Sequence, residues 1–312
     1  SQQWAAVYSG NQPTELYGLK QQLNAGLSAG LCGFAAWSGD MAGYEGKPNV
    51  ETYIRGVEFA AFQPLMRSHG TKTRCPWDFG KEAETVYLKY YWLRENLIEM
   101  LYSAAISSNH RGLPMMKAMA LAFPEEKDYL NNGEQYLFCD TILVAPVLEE
   151  KAQTKKVCFP KGTWYELWSG NEVLGSCERE VPVSLKDCPA YLKSGIVLPV
   201  IMNEKMKWAV PFSEQNQTKV IVITPPNMDD EYRYYAEEDD KYVFKCVKED
   251  ERVFTIYSLK DIFINKLLIY GNVHEIEVDG KKEEFSIVYE NQTMTALRLK
   301  SDRWNKLTIT CK

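Results

Sequence analysis

The sequence lacks the residues that mark a metal-binding or nucleic-acid-binding protein. It has only three histidines among 312 residues, and none of its eight cysteines stands in a Cys-x-x-Cys pair, so no zinc-ligand spacing is present. No run of lysines and arginines indicates a nucleic-acid surface, and the net charge is only -6. We therefore expect no metal ion and no nucleic-acid partner.

Long apolar runs are absent as well, so we expect no membrane-spanning helix and no membrane partner. No signal peptide is recognisable. Ser1 opens inside what reads as a continuing segment, and we expect the natural N-terminus to lie upstream of it. The scattered cysteines favour unpaired, partly buried thiols in a reducing compartment, which predicts a cytoplasmic location.

The first part of the chain predicts an α/β unit. Hydrophobic residues make up 45% and charged residues 25% of the sequence, a balance typical of packed globular domains. Helix-like segments at 14–30 and 50–62 alternate with short apolar runs, which favours a parallel sheet. Asp40 and His69 each follow an apolar run, at the strand ends where site residues usually lie. A further helix is predicted from apolar residues at helical spacing, namely Val86, Tyr90, Leu93, Leu97, Met100, Leu101 and Ala104.

The pattern changes near Gln135, where short β-type runs and turn signals begin. The Asp279-Gly280 pair is typical of a hairpin turn, and Pro225-Pro226 indicates a boundary between two β units. We predict three domains at 1–134, 135–225 and 226–312. The β-type runs lie at 141–147, 197–201, 219–223, 242–247, 253–257 and 267–270.

Three ordered segments carry a family resemblance. They are Tyr-Ser-Gly-Asn-Gln at 8–12, Gly-Phe-Ala-Ala-Trp-Ser-Gly-Asp-Met-Ala-Gly-Tyr at 33–44, and Arg-Ser-His-Gly at 67–70. In this order and spacing they resemble glycoside hydrolase family 31, which has W-x-G-D, D-I-G-G-F and R-x-H segments. Residues 112–119, 142–147, 162–170 and 189–199 are similar to further motifs of that family, with Lys117 in place of an arginine. The resemblance runs from Gln3 to about Val200.

The resemblance implies the last part of a catalytic (β/α)8 barrel followed by two β-sandwich domains. It also implies that the nucleophilic aspartate, an N-terminal β domain and the rest of the barrel lie upstream in the same polypeptide. That remainder would be the main partner of this chain, which we expect to be inactive alone, and a homo-oligomer is left open. No metal or organic cofactor is implied, and the expected ligand is an oligosaccharide or another α-glycoside.

Asn11 stands where the family has its acid/base aspartate, and an amide has no acidic proton to give at neutral pH. Three explanations are open. We favour a deliberate Asp-to-Asn change that would trap a substrate complex, because the surrounding motifs are intact. Natural loss would instead give a catalytically dead sugar-binding protein. In the third explanation the acid has shifted to Glu15, the nearest carboxylate in the sequence.

The resemblance also assigns substrate-binding positions. His69 matches a histidine that hydrogen-bonds sugar hydroxyls, and Tyr44 matches an aromatic residue at the edge of the sugar pocket. Tyr8 replaces the usual tryptophan on the leaving-group side. Asp40 matches an aspartate that orients pocket residues. Its alternative role is structural, as a cap that fixes the conformation of its loop. Trp37 belongs either to the pocket wall or to the core.

The resemblance implies hydrolysis of α-glycosides at a non-reducing end with retention of configuration. An α-glucosidase is the first expectation. The Trp37-Ser38 pair and the segment 68–72 are also similar to the family's α-xylosidases, which we keep as the alternative enzyme. A sugar-binding pseudoenzyme is the alternative from another class.

Overall fold

The structure, a computed structural model, describes residues 6–312, so Gln3, where the resemblance begins, lies outside the described part. The chain forms two compact units, each assembled from separate segments. The first unit extends to Arg94 and also contains Ala104–Lys161 and Gly175–Tyr191. The second contains Glu95–Ser103, Gly162–Leu174 and Leu192–Lys312.

Helices predominate in the first third of the chain and strands thereafter, which agrees with the predicted order of α/β followed by all-β. The helices are α1 (Leu16–Leu31), α2 (Val50–Ala61), α3 (Lys81–Asn96), α4 (Ile98–Arg111) and α5 (Met119–Ala122), with 3-10 turns at Pro76–Phe79 and Lys127–Tyr129. The strands are β1 (Val7–Tyr8), β2 (Trp37–Ser38), β3 (Met116–Ala118), β4 (Tyr136–Phe138), β5 (Ile142–Val144), β6 (Thr154–Phe159), β7 (Thr163–Glu166), β8 (Glu172–Leu174), β9 (Cys177–Pro182), β10 (Ala190–Lys193), β11 (Val197–Asn203), β12 (Gln217–Ile223), β13 (Asp230–Glu237), β14 (Asp240–Lys248), β15 (Val253–Ile262), β16 (Lys266–Ile269), β17 (Val273–Val278), β18 (Lys281–Lys282), β19 (Phe285–Glu290), β20 (Thr295–Leu299) and β21 (Trp304–Cys311).

Helix α1 packs closely against the strand that leads to the site. Its buried face includes leucines at helical spacing, and the burial of each stabilises the fold by about 1.5–3 kcal/mol. Gly26 lies on this helix, and a Cβ atom there would come within 2.9 Å of the Trp37 ring. The glycine therefore allows the helix to approach β2. The buried leucines are Leu16, Leu19, Leu23 and Leu27.

Helix α2 is buried along nearly its whole length and contains an ion pair. Asn49 caps the helix by accepting a hydrogen bond from the Thr52 backbone N–H at 2.7 Å. Arg55 Nη1 and Glu58 Oε2 are 2.9 Å apart, and their side chains are only 1% and 2% exposed. Arg55 also donates to the carbonyl of Asp187 at 3.1 Å. Burial raises the pKa of Glu58, and the Arg55 charge opposes that rise.

The predicted helix from Val86 to Ala104 is in fact two helices that meet at Leu97. The side chain of Asn96 donates to the Ile201 carbonyl at 2.7 Å and accepts from the Ala209 N–H at 2.9 Å. A side chain that bonds backbone groups outside its own helix favours a helix end. The predicted apolar face is nevertheless buried, except that Ala104 is half-buried.

The second unit contains a β-sandwich. One sheet has the order β11-β12-β16-β20-β19, and the other has the order β13-β14-β15-β21-β17-β18. Residues of both sheets share one hydrophobic core, including Val197, Ile221, Phe244, Ile256 and Trp304. Strands β11 and β12 precede the predicted boundary at 225, so residues on both sides of that boundary share this core. The domain limits remain predictions.

The shorter β elements follow their sequence signals. Each of the six predicted β-type runs overlaps a strand. Asp279 and Gly280 have φ values of 51° and 78° and connect β17 to β18, which confirms the predicted hairpin turn. In the first unit, β3 pairs with β4 and β4 with β5, all antiparallel, so this sheet joins residues on both sides of position 134.

Candidate active site

Two short parallel strands position the start of the site. Strand β1 pairs with β2 so that Tyr8 lies beside Ser38, and the Ser9 N–H donates to the Ser38 carbonyl at 3.0 Å. A parallel bridge then joins Asp40 to Arg67. The segments that follow β1 and β2, and the segment around Arg67 after α2, therefore lie at one edge, as expected for the carboxyl ends of parallel strands.

Four polar side chains meet at this edge. The Tyr8 hydroxyl donates to Asp40 Oδ2 at 2.6 Å and lies 2.9 Å from Asn11 Oδ1. Arg67 Nε is 3.1 Å from Asp40 Oδ1. The sequence-predicted residues Tyr8, Asn11 and Asp40 are thus brought together, and Arg67 joins them.

Electrostatics in this cluster centre on Asp40, whose side chain is fully buried. The Arg67 contact is an ion pair without hydrogen-bond geometry, because Asp40 Oδ1 accepts no hydrogen bond from the residues described. The Arg67 guanidinium also lies over the Tyr8 ring, 4.6 Å from its centre. Burial, and then the hydrogen bond to Asp40, raise the pKa of the Tyr8 phenol. These contacts favour the orienting role of Asp40 over the loop-cap role.

Two buried glutamines hold the loop that carries Asp40. Gln22 on α1 donates to the Asp40 carbonyl at 3.0 Å. Gln63, just after α2, accepts from the Gly39 N–H at 3.0 Å. Neither glutamine has a role that the sequence alone predicts. The one signal was a glutamine among the leucines on the buried face of α1.

Tyr44 and His69, two further predicted positions, contact each other. Their ring centres are 5.4 Å apart with an interplanar angle of 47°. The carbonyl of Tyr44 accepts hydrogen bonds from the Thr71 N–H at 2.9 Å and from Arg74 Nη2 at 3.3 Å. Arg74 also donates to the Gly43 carbonyl at 2.7 Å. Arg74 therefore fixes the loop that presents Tyr44, and sequence analysis did not single it out.

An open cleft of about 430 Å³ lies beside His69. Its wall includes Ser68, Lys72 and Trp77, whose indole is largely exposed. A cleft with a flat aromatic face and polar groups suits a polyhydroxylated ligand.

Two other predicted positions lie elsewhere. Trp37 is only 3% exposed and packs on Gly26, so the structure favours its core role over the pocket-wall role. Glu15 is exposed immediately before α1 and lines a different cleft with Tyr17, Lys20 and Asn49. That position does not support Glu15 as a shifted acid.

Within residues 6–312, no group of three or more His, Cys, Asp or Glu side chains is arranged to hold a metal ion. The eight cysteines form no disulfide with one another. In the described part of the chain, no helix has both the length and the apolarity that a membrane crossing requires.

Two family models match the chain in sequence. The glycosyl hydrolases family 31 TIM-barrel domain matches residues 1–104, and the glycosyl hydrolase family 31 C-terminal domain matches residues 112–198. Together the two matches cover more than half of the chain.

Similar curated proteins include an isomaltosyltransferase of Sporosarcina globispora, 33% identical over 210 residues, and an α-xylosidase of Saccharolobus solfataricus, 32% identical over 204 residues. Each alignment covers 63% of this chain but only 19% and 28%, respectively, of the relative. The chain thus spans less than a third of the length of these relatives.

A cycloalternan-forming enzyme from Listeria monocytogenes, solved in complex with a pentasaccharide substrate, has a similar fold. The TM-score is 0.87 over 98% of this chain and 32% of that enzyme, at 23% identity. At this identity the likeness shows the fold alone.

Proposed function

Because the chain belongs to glycoside hydrolase family 31, we propose that its protein is a retaining α-glycoside hydrolase that releases α-glucose from non-reducing ends. The chain contributes the end of the catalytic barrel and the β-sandwich domains that follow it. In this proposal Asn11 occupies the acid/base position, and His69 and Tyr44 bind the sugar.

The observation that carries the proposal is the cluster of Tyr8, Asn11, Asp40 and Arg67. In this cluster the Tyr8 phenol connects position 11 to the buried carboxylate of Asp40, which supports a catalytic role at the strand edge where barrel enzymes hold their catalytic groups. The side chain at position 11 contacts the phenol of Tyr8 and is itself exposed, so it can face a bound glycoside.

The chemistry needs two carboxyl groups about 5–5.5 Å apart. One attacks the anomeric carbon and forms a glycosyl ester. The other protonates the leaving oxygen and then deprotonates the water that cleaves the ester. An amide at position 11 cannot perform either proton transfer. We propose that Asn11 is an inactivating replacement and that the nucleophile belongs to the rest of the polypeptide.

Two alternatives remain. An α-xylosidase is supported by the 32% identical α-xylosidase and by the resemblance at segments 37–38 and 68–72. A sugar-binding protein without catalysis is supported by Asn11 alone.

Azide rescue of the full-length protein tests the proposal. An aryl α-glucoside with a good leaving group needs little acid assistance, so the glycosyl ester should form and accumulate with Asn at position 11. Azide needs no general base and should release the ester as α-glucosyl azide, which raises the rate. The product is identified by NMR.

The same assay separates the alternatives. Faster turnover of the aryl α-xyloside than of the glucoside would support the α-xylosidase. A β-configured azide would exclude retention. If the protein binds glucose or xylose but forms no azide adduct with either sugar, the result would support the sugar-binding protein instead.

We expect His69→Ala to lower kcat/KM in the enzyme carrying Asn11→Asp, without unfolding it. His69 is exposed at the cleft and its ring is tilted against that of Tyr44, so its imidazole is available to donate one hydrogen bond and accept another from a sugar hydroxyl. Loss of such bonds costs about 1–3 kcal/mol, or roughly 5- to 150-fold.

Steady-state kinetics and thermal melting of the same samples measure this effect. His274→Ala is the matched control, because His274 is also exposed but lies on β17 in the second unit. A sharply lower melting temperature with normal kcat/KM of the folded fraction would make His69 a structural residue.

A further inference from the structure

We propose that Tyr8 orients the side chain at position 11 by accepting a hydrogen bond from it. Tyr8 is then a positioning residue that holds a donor, not an acceptor, at the acid/base position. The catalytic part of this inference rests on the proposed glycosidase function.

The phenol of Tyr8 has a single proton to donate. The Tyr8 oxygen is 2.6 Å from Asp40 Oδ2 and 2.9 Å from Asn11 Oδ1. The carboxylate oxygen of Asp40 and the amide oxygen of Asn11 are both acceptors, but one phenolic proton can serve only one of them. The contact to Asp40 is short, as charge-assisted O–H to carboxylate bonds are, and the Asp40 charge is stabilised by Arg67 at 3.1 Å. The proton therefore belongs to the Tyr8–Asp40 bond.

The contact to Asn11 must then run in the other direction. The amide oxygen and nitrogen of asparagine are assigned from their hydrogen bonds, and exchanging them leaves the shape of the side chain unchanged. With the phenolic proton committed to Asp40, the Tyr8 oxygen can only accept, so Asn11 presents its Nδ2–H to Tyr8. The amide carbonyl oxygen of Asn11 then faces away from Tyr8.

The same arrangement acts on a carboxyl at position 11. The charged or titratable groups around Tyr8 are Asp40 after β2, Arg67 after α2, and Tyr44 in the intervening loop. With Tyr8 bonded to Asp40, a carboxylic acid at position 11 can donate to the phenolic oxygen, whereas a carboxylate cannot. A hydrogen bond made only by the neutral form raises a carboxyl pKa. Tyr8 would thus keep the acid protonated for the first step.

This effect on the carboxyl pKa requires a tyrosine at position 8. The family resemblance places tryptophan at position 8, and an indole N–H is a donor only. A tryptophan would keep a flat face but could not accept from position 11. The phenolic oxygen is what distinguishes this chain.

The test compares the full-length Asn11→Asp protein with Asn11→Asp/Tyr8→Phe and Asn11→Asp/Tyr8→Trp. The pKa of the introduced carboxyl is measured by ¹³C NMR of protein labelled in its aspartates. Its signal is the titrating one that the protein with Asn11 lacks. We expect its pKa to fall by about one unit when Tyr8 is replaced by either residue, a tenfold change in the ionisation constant. Circular dichroism and melting curves verify folding, and Tyr8 is partly exposed, which favours tolerance of the change.

Several results would overturn the inference. A raised pKa in the phenylalanine variant would mean that Tyr8 gives its proton to position 11, and an unchanged pKa would mean that Tyr8 accepts no hydrogen bond from it. If the aspartate pKa in the tryptophan variant equals that with Tyr8, the aromatic ring and not the phenolic oxygen raises the pKa. The titration does not require activity, so an inactive Asn11→Asp protein would contradict the proposed function alone. In an active one, the basic limb of kcat/KM should move with the titration.

Discussion

Asn11→Asp in the full-length protein is expected to raise kcat/KM on unactivated α-glucosides by about 10²–10⁴, the usual contribution of general acid catalysis. The substitution exchanges an amide for a carboxyl of nearly the same shape, at a position already held by Tyr8. It therefore adds a transferable proton without a new packing requirement. Steady-state rates on maltose-type and aryl α-glucosides measure the gain.

The gain should depend on the leaving group. Substrates with very good leaving groups need little protonation in the first step, so their gain in kcat/KM should be much smaller. Glu15→Gln in the same background is the control for a shifted acid, because Glu15 is exposed at the start of α1 and should not change the rate. Equal rates with Asn and Asp on every substrate would show that the acid/base assignment is wrong.

Glu58→Ala is expected to lower the free energy of unfolding of the first unit by about 3–5 kcal/mol. The substitution leaves the Arg55 guanidinium buried without its counter-charge, and the Asp187 carbonyl at 3.1 Å is a weak replacement for a carboxylate. The ion pair already leaves Arg55 Nε and Glu58 Oε1 without a hydrogen-bond partner among the described residues, so little can compensate. Urea unfolding followed by tryptophan fluorescence measures the change.

Glu84→Ala is the matched control for this prediction. Lys81 and Glu84 form an ion pair at the same i,i+3 spacing, but the Lys81 side chain is 82% exposed, so the change should stay within about 0.5 kcal/mol. Replacing both Arg55 and Glu58 with methionine should recover most of the loss, because no isolated charge remains. A loss from Glu58→Ala as small as the control's would show that water reaches the pair.

Much of the site could be predicted because its residues occur in ordered segments. Asn11, Asp40 and His69 lie just past strands or apolar runs, so their position at one edge follows from the parallel arrangement. The strands could be predicted as well: a short apolar run predicted β16, and the Asp279-Gly280 pair predicted the hairpin. These signals come from residues that are close together in the sequence, so they can be recognised in a single sequence.

The remaining features depend on partners distant in sequence. Gln22, Gln63 and Arg74 act on backbone groups of the loops that carry Asp40 and Tyr44, and backbone groups have no signature in a sequence. The break at Leu97 occurs where Asn96 bonds residues 105 and 113 positions away. The choice between wall and core for Trp37 depends on which side of β2 meets α1, and only the packing of Gly26 decides it.

The segmented second unit has a consequence for biosynthesis. Asn96 is fully buried and bonds Ile201 and Ala209, so its partners leave the ribosome only 105 and 113 residues later. At about 5–20 residues per second, the nine residues from Glu95 to Ser103 wait roughly 5–20 s for the strands that cover them. During that interval Leu97, Met100 and Leu101 are apolar side chains without their final surroundings. Until those strands are made, this short stretch is accessible to a chaperone that binds apolar side chains.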